Sequence, residues 1–211
     1  MTSIRHKPVT EQPAADNAEQ AYLDAARAAI LAVGWSRTTL TDIARRAGVS
    51  RMTLYRRWPD TQTLLADLMT REWRAVVSAA AARPEATGTV RERISAGIVA
   101  TVQALRANEL VRRIVDVDPE VLLPYLLDRR GRSQEHVADA TAALVSEGQR
   151  EGSIRPGDPT TMARSLLLAA HGFVLSAHTM VDGDAGRDAD VAHLDAELGL
   201  LVDRYLAPAA S

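Results

Sequence analysis

Arginine is concentrated in one short segment of this 211-residue chain. Six arginines and one aspartate lie between Trp35 and Arg57, which gives the segment a net charge of +5. The whole chain carries −2, so the remaining residues together carry −7. A guanidinium group stays charged at physiological pH and donates paired hydrogen bonds to phosphate oxygens. The segment indicates a surface that meets a polyanion, the alternative being the solvated helix face that most arginine clusters form.

Two short helices separated by a tight turn are predicted to carry these arginines. Thr39 stands three residues before Asp42, a capping signature that begins a helix, and Gly48 ends that helix. Ser50 offers the next N-cap, and helical spacing continues to Trp58. A helix, a turn and a second helix of these lengths make a helix-turn-helix unit.

The outer face of the second helix is predicted to read DNA. A helix of this width fits the major groove, where its N-terminal residues meet base edges. Arg51 can fork to guanine, and Met52 and the Thr53 methyl group can contact a thymine methyl group. Other arginines and hydroxyl groups are placed to contact phosphates. The predicted DNA-binding residues are Thr38, Thr39, Arg45, Ser50, Arg51, Met52, Thr53, Tyr55, Arg56 and Arg57.

The segment "TTLTDIARRAGVSRMTLYRRWPDTQTLL", preceded by "YLDAARAAILAVGW", resembles the N-terminal domain of the TetR family of bacterial repressors. The likeness covers about residues 20–70. It implies an all-α fold, with an N-terminal three-helix helix-turn-helix DNA-binding domain and a C-terminal helical domain for ligand binding and dimerisation. The chain departs from the family pattern at Met52, where Gly is frequent, and at Thr61, where Lys is frequent.

Composition excludes several other kinds of site. The chain has no cysteine, which excludes disulfides, thiolate catalysis and cysteine-ligated zinc. No stretch reaches the roughly 18 apolar residues of a membrane span, so we expect a cytoplasmic protein without a membrane partner. The sequence contains no recognisable nucleophile–base pair, metal-ligand spacing or nucleotide-binding glycine loop. We therefore expect no cofactor, no metal and no enzymatic activity.

The chain is predicted to comprise a disordered arm over residues 1–17, a DNA-binding domain over 18–65 and a ligand-binding and dimerisation domain over 66–211. Within the last part, one long helix is predicted from Pro119 to about Gly148, with Pro124 in its first turn or at a kink and Gly131 as a point of interruption. Asp118 is predicted to cap that helix.

The predicted helix over residues about 158–181 is apolar nearly all round, and the last predicted helix, over about 190–206, adds further apolar residues. A helix with one face exposed to solvent would carry polar residues on that face. We expect these helices to pair with a second copy of the chain, because a two-fold operator needs a two-fold protein. The alternative is that they fill the core of one monomer. Substituting aspartate for Leu166 or Leu198 is expected to weaken the dimer.

Polar residues inside the apolar helices are candidate ligand contacts. His171 is favoured, because its small neighbours leave space beside a titratable donor. Each candidate is also explicable as a hydrogen-bonded core group or a surface residue. The candidates put forward for a ligand site are Gln103, Tyr125, His136 and His171.

These observations together predict a ligand-responsive transcriptional repressor. It binds a palindromic operator in double-stranded DNA as a homodimer, and a small hydrophobic or amphipathic effector releases it. The alternatives are an effector-independent DNA-binding protein and a small α-helical enzyme. Salt-dependent, sequence-selective DNA binding separates the repressor from the enzyme, and release of DNA by a small molecule separates it from the effector-independent protein.

Overall fold

A computed structural model of the chain describes residues 12–81, 88–182 and 187–209, with side chains at 17–79, 88–182 and 189–209. The described residues form helices and contain no strand, so the fold is all-α as predicted. None of these helices is long and apolar enough to cross a membrane. The α-helices are α1 (Gln12–Val33), α2 (Leu40–Ala47), α3 (Arg51–Arg57), α4 (Thr61–Ala81), α5 (Val90–Ala107), α6 (Glu109–Val117), α7 (Arg132–Glu151), α8 (Pro159–Ser176) and α9 (Arg187–Leu206).

The chain divides into two compact units, residues 1–69 and 70–211, with the division inside α4. The predicted arm lies partly outside the described residues, since these begin at Gln12. Residues 12–17 belong to α1, so the prediction of disorder was wrong for them. Pro13 suits the first turn of a helix, and the alanines that follow it have the highest helix propensity, which explains the earlier start.

Side-chain caps fix the short helices of the first unit. The Thr39 Oγ1 atom accepts a hydrogen bond from the Asp42 amide at 3.2 Å and begins α2. Gly48 ends α2 with a φ of 67°, a left-handed conformation that favours glycine. The Ser50 Oγ atom then accepts from the Thr53 amide at 3.2 Å and begins α3. The predicted helix-turn-helix and its caps are confirmed.

The core of the first unit is mainly aliphatic and packs around Trp58, with Trp35 also buried. Trp58 is 1% exposed, and its indole N–H donates to Asp67 Oδ2 at 2.8 Å. The ring of Tyr22 meets the ring of Trp58 edge to face, with centroids 6.2 Å apart. Large aliphatic side chains on all four helices of the unit complete this core: Leu23, Ile30, Leu40, Ile43, Leu54, Leu64, Leu65 and Leu68.

The second unit packs α5 against α7, α8 and α9. A capping box begins α5, in which Thr89 and Glu92 exchange hydrogen bonds between side chain and backbone. Arg106 of α5 forms a buried ion pair with Asp195 of α9 and donates to the Phe173 carbonyl of α8 at 3.3 Å. One guanidinium group thus ties together three helices.

The predicted long helix from Pro119 to Gly148 is interrupted. A 3₁₀ turn over Pro119–Leu122 and a π turn over Pro124–Asp128 precede α7, which begins only after Gly131. Asp118 does not cap the first of these turns, because its φ of −136° and ψ of 49° are not the extended conformation of an N-cap. The helix predicted to reach Val181 likewise ends at Ser176 and continues as a 3₁₀ turn.

Candidate nucleic-acid interface and internal cavity

The recognition helix α3 buries one face and exposes the other. Leu54 and Trp58 are almost fully buried and hold α3 in the first unit. Arg51, Met52 and Arg56 are exposed, and Met52 is 69% accessible despite its apolar side chain. The Arg51 guanidinium lies 5.2 Å from the centroid of the Tyr55 ring, a cation–π distance. The exposed face therefore offers one large apolar contact between positive charges.

The arginines around α3 differ in how far they are already neutralised. Arg57 donates twice to Glu19 Oε2 of α1, at 3.0 Å and 2.7 Å. Arg45 bonds Asp42 Oδ1 at 2.9 Å, although its side chain stays 76% exposed. Within the part of the chain that the structure describes, Arg46 and Arg56 have no acidic partner. Arg57 is thus less available to a phosphate than Arg56 is.

Several hydroxyl groups predicted to contact DNA have local partners instead. Thr38 is buried and donates to the Gly34 carbonyl at 2.7 Å, so its placement contradicts a phosphate contact. Thr39 and Ser50 serve as the caps of α2 and α3, and the Thr53 hydroxyl lies 2.8 Å from Ser50. The predicted residues that stay exposed on this surface are Thr39, Arg45, Ser50, Arg51, Met52, Tyr55, Arg56 and Arg57.

A cavity of about 390 Å³ lies within the second unit. Its volume falls in the range of sites that hold small molecules. Most of its wall is aliphatic, from α5, α7 and α8, and Trp73 and Val77 of α4 complete it. The polar or charged side chains in the wall are Arg93, Thr101, Ser133, Gln134, Thr141 and His171.

The structure brings one of the four predicted ligand residues to this cavity. His171 lines it, as its small neighbours suggested. Gln103 and His136 are exposed and do not line it, because the helical turn carries them away from the wall faces of α5 and α7. Tyr125 precedes α7 and also lies outside the wall, although its carbonyl oxygen contacts a wall residue.

Gln134 is the residue that the sequence interpretation missed. Its Oε1 atom accepts the Gly131 N–H at 2.7 Å, and its Nε2 atom lies 3.3 Å from both the Tyr125 carbonyl oxygen and the His171 Nε2 atom. Gln134, Val137, Thr141 and Leu144 follow helical spacing on one face of α7 and all line the cavity. That spacing was the available signal.

Burial lowers the pKa of His171, because the charged imidazolium loses hydration inside the second unit. The ring is therefore neutral at physiological pH. Among the described residues, no group of three or more histidine and carboxylate side chains converges as a metal site requires.

The predicted dimerisation helices each present a small apolar outer face. On α8, Leu168 is 71% exposed and shares its face with Gly172, while on α9 Leu200 and Leu201 are exposed. Leu166 and Leu198, by contrast, are buried in the core of the monomer. The sequence-based choice of these two as interface probes was therefore wrong, since aspartate there would disrupt the fold itself.

Comparisons with known proteins agree with this arrangement. The family described as bacterial regulatory proteins, tetR family, matches residues 23–68, the segment that includes α2 and α3. An uncharacterised HTH-type transcriptional regulator of Mycobacterium bovis is 36% identical over 184 residues, which cover 87% of this chain and 92% of that protein.

Solved structures extend the likeness to the whole fold. A TetR-family transcriptional regulator from Pectobacterium atrosepticum superimposes with a TM-score of 0.67 at 20% identity, over 92% of this chain and 97% of the other. The transcriptional repressor QsdR of R. erythropolis, from the TetR family, gives 0.61 at 20% identity, over 87% and 94%. The exposed recognition helix, the helical body with its cavity and the identity along most of the chain lead to one conclusion: this protein belongs to the TetR family of transcriptional regulators.

Proposed function

We propose that this regulator is a repressor that binds a palindromic operator as a homodimer and leaves it when a small hydrophobic molecule occupies the cavity. The main observation that supports this proposal is that one chain combines an exposed basic recognition helix with a largely apolar cavity. In this proposal residues 18–65 bind DNA, and residues 66–211 bind the effector and the second subunit. The repressor QsdR has the same fold, which supports the assignment.

On DNA, Arg51 and Met52 read base edges while Arg45 and Arg56 contact phosphates. The operator is first selected from a random double-stranded library by the purified protein. Arg51→Ala is then expected to cost about 1–3 kcal/mol on the selected site and to relax one base position. Arg56→Ala is expected to weaken all sequences alike and to reduce the salt slope by about one unit.

Two arginine variants serve as matched controls in the same assay. Arg150→Ala removes an exposed arginine of the second unit and should leave binding unchanged. Arg57→Ala should have a smaller effect than Arg56→Ala, because Glu19 already neutralises Arg57. Equal losses from Arg51→Ala and Arg150→Ala would show that α3 is not the recognition element.

The dimer forms through the exposed apolar faces of α8 and α9. Leu168→Asp or Leu201→Asp should convert the protein to a monomer and abolish operator binding, since a desolvated unpaired charge is costly at an interface. Leu127→Asp is the matched control, because Leu127 is 76% exposed but lies outside both helices. Light scattering measures the mass. An unaltered protein that is monomeric and still binds the operator would contradict the dimer.

Effector release is the step that distinguishes a sensor from an effector-independent DNA-binding protein. Leu68 of α4 is buried in the first core, and Trp73, further along the same helix, lines the cavity. In our proposal a ligand shifts α4 and so favours a state that does not fit the operator. The ligand needs only a differential affinity for the two states. Fluorescence anisotropy of labelled operator DNA, titrated with candidate compounds, measures the release.

A further inference from the structure

We propose that the cavity selects an elongated, uncharged, mostly aliphatic molecule whose oxygen accepts a hydrogen bond from Nδ1–H of His171. The proposal rests on the proposed sensing function, because it names the ligand class of that same cavity. Its evidence is the orientation of one amide, the pairing of the charges in the wall and the length of the cavity.

The Gln134 amide sets which nitrogen of His171 carries the proton. The Gly131 backbone N–H can only donate, so the atom that faces it at 2.7 Å must be the carbonyl oxygen of Gln134. The amide nitrogen therefore faces both the Tyr125 carbonyl and His171 Nε2, at 3.3 Å each. That nitrogen has two hydrogens and no lone pair to offer, so it donates one hydrogen to each neighbour.

His171 Nε2 must then be the acceptor of this pair. A neutral imidazole has one donor and one acceptor nitrogen, which places the proton on Nδ1. No other described residue forms a hydrogen bond with the ring. The Nδ1–H group is thus a donor that the fold leaves for a ligand. A carbonyl, ether or hydroxyl oxygen satisfies it.

The wall of the cavity has no net charge to offer a ligand. Arg93 and His171 are the ionisable side chains among the described wall residues, and no carboxylate is among them. Arg93 is paired with Glu147 at 2.8 Å, which offsets its charge, and burial keeps His171 neutral. A cation finds no counter-charge in this wall, and an anion finds only the paired arginine. An uncharged ligand avoids the cost of burying an unpaired ion.

The cavity is also long. On α7 its wall runs from Ser133 to Leu144, about 16 Å at 1.5 Å per residue. Gln134 marks one end of this wall, and Arg93, paired with Glu147, lies at the other. Between them the wall is mainly aliphatic, so a chain-like stem with its oxygen at the His171 end fits both the shape and the chemistry.

The test uses four probes with the same eleven-carbon chain: 2-undecanone, 1-undecanol, undecanoate and undecylammonium. Isothermal titration at pH 8 measures the binding of each probe to the full-length protein. The ketone and the alcohol are expected to bind at least tenfold more tightly than the two ions. Tighter binding of either ion, or no binding of any probe, overturns the proposal; a preference for undecanoate would assign the buried Arg93 Nε atom as the ligand contact instead.

Substitutions in the cavity wall test where the ketone binds. His171→Phe should weaken the binding of 2-undecanone by about five- to tenfold, the equivalent of one hydrogen bond. His136→Phe is the matched control, because His136 is an exposed histidine of α7 that does not line the cavity, and its change should leave affinity within about twofold. Gly97→Leu projects a side chain into the cavity, since a Cβ at Gly97 meets no atom within 4 Å, and it should abolish binding. Retained affinity in His171→Phe or Gly97→Leu contradicts the assigned contact.

Nitrogen-15 spectra of histidine-labelled protein test the tautomer without any substitution. Before ligand is added, Nδ1 of His171 should carry the proton and Nε2 should not, and 2-undecanone should shift Nδ1 more than Nε2. A proton on Nε2 overturns the proposal. The anisotropy assay separates the two levels: if the ketone binds as described yet leaves the operator complex intact, the ligand class stands and the proposed sensing function fails. If undecanoate both binds best and releases DNA, the proposed ligand class fails and the proposed sensing function stands.

Discussion

The two units of this protein differ in how much of their apolar surface and how many of their polar groups are packed or paired within the unit itself. The first unit fills its core mainly with aliphatic groups and two tryptophans, and hydroxyl groups cap α2 and α3. The second unit encloses a cavity, relies on a buried ion pair and exposes leucines on α8 and α9. The first unit thus presents a preformed surface, whereas the second retains apolar surface, inside and outside, that only other molecules can cover.

The largest expected effect compares two tryptophans. Trp58→Ala should destabilise the first unit by about 3–5 kcal/mol, because it empties a fully buried site. Trp73→Ala should cost much less, since Trp73 is half-buried and already borders the cavity. Native-state hydrogen exchange, resolved separately for the two units, measures both. Equal losses would show that the two units are packed alike.

The buried ion pair of the second unit should give the next largest effect. Asp195→Ala should destabilise this unit by about 3 kcal/mol, because Arg106 is left as a largely buried charge. The double variant Arg106→Met/Asp195→Leu should recover most of that loss, since apolar groups of similar volume need no counter-charge. Thermal unfolding of the two variants provides the comparison. A double variant no better than the single would mean that the pair specifies the packing of α5 with α9.

A glycine-to-alanine substitution should change the free energy of unfolding in opposite directions in the two units. Gly48→Ala should destabilise by about 1 kcal/mol, because the φ of 67° at this cap is strained for alanine. Gly97→Ala lies inside α5 and should stabilise by about 0.5–1 kcal/mol through helix propensity. A Cβ at either position meets no atom within 4 Å, so no steric clash contributes to the measured change in stability. Urea denaturation gives both values, and equal signs would contradict the backbone explanation.

The smallest expected effect is on pH dependence, since it involves one proton on a side chain that remains partly exposed. Burial lowers the pKa of His171, so below its ordinary value of 6.5 the unfolded chain binds more protons than the folded chain. Stability should therefore fall as the pH drops from 6.5 towards the folded pKa, and the loss should be complete below that. His171→Phe should show a shallower dependence over this window. An identical slope in both proteins would exclude His171 as its source.

Sequence patterns predicted local features well and the pairing of distant residues poorly. Thr39, Ser50 and Gly48 act through neighbours three or four positions away, so their roles were visible in the sequence. The pairing of Arg106 with Asp195 joins residues far apart in the chain, and no local pattern indicated it. Leu166 and Leu168 look equivalent in an apolar helix, yet one is buried and the other exposed. Only the packing of α8 against its neighbours distinguishes them.

The cavity also gives the two units different volumes to lose on unfolding. Hydrostatic pressure favours whichever state occupies less volume, and the change on unfolding scales with the internal voids that unfolding eliminates. The second unit contains a cavity of about 390 Å³ with a largely aliphatic wall, whereas the core of the first contains large side chains that are fully buried. Compression should therefore open the second unit first and leave the recognition helix folded. A molecule that fills the cavity would remove this weakness, so pressure resistance would report its occupancy without any reference to DNA.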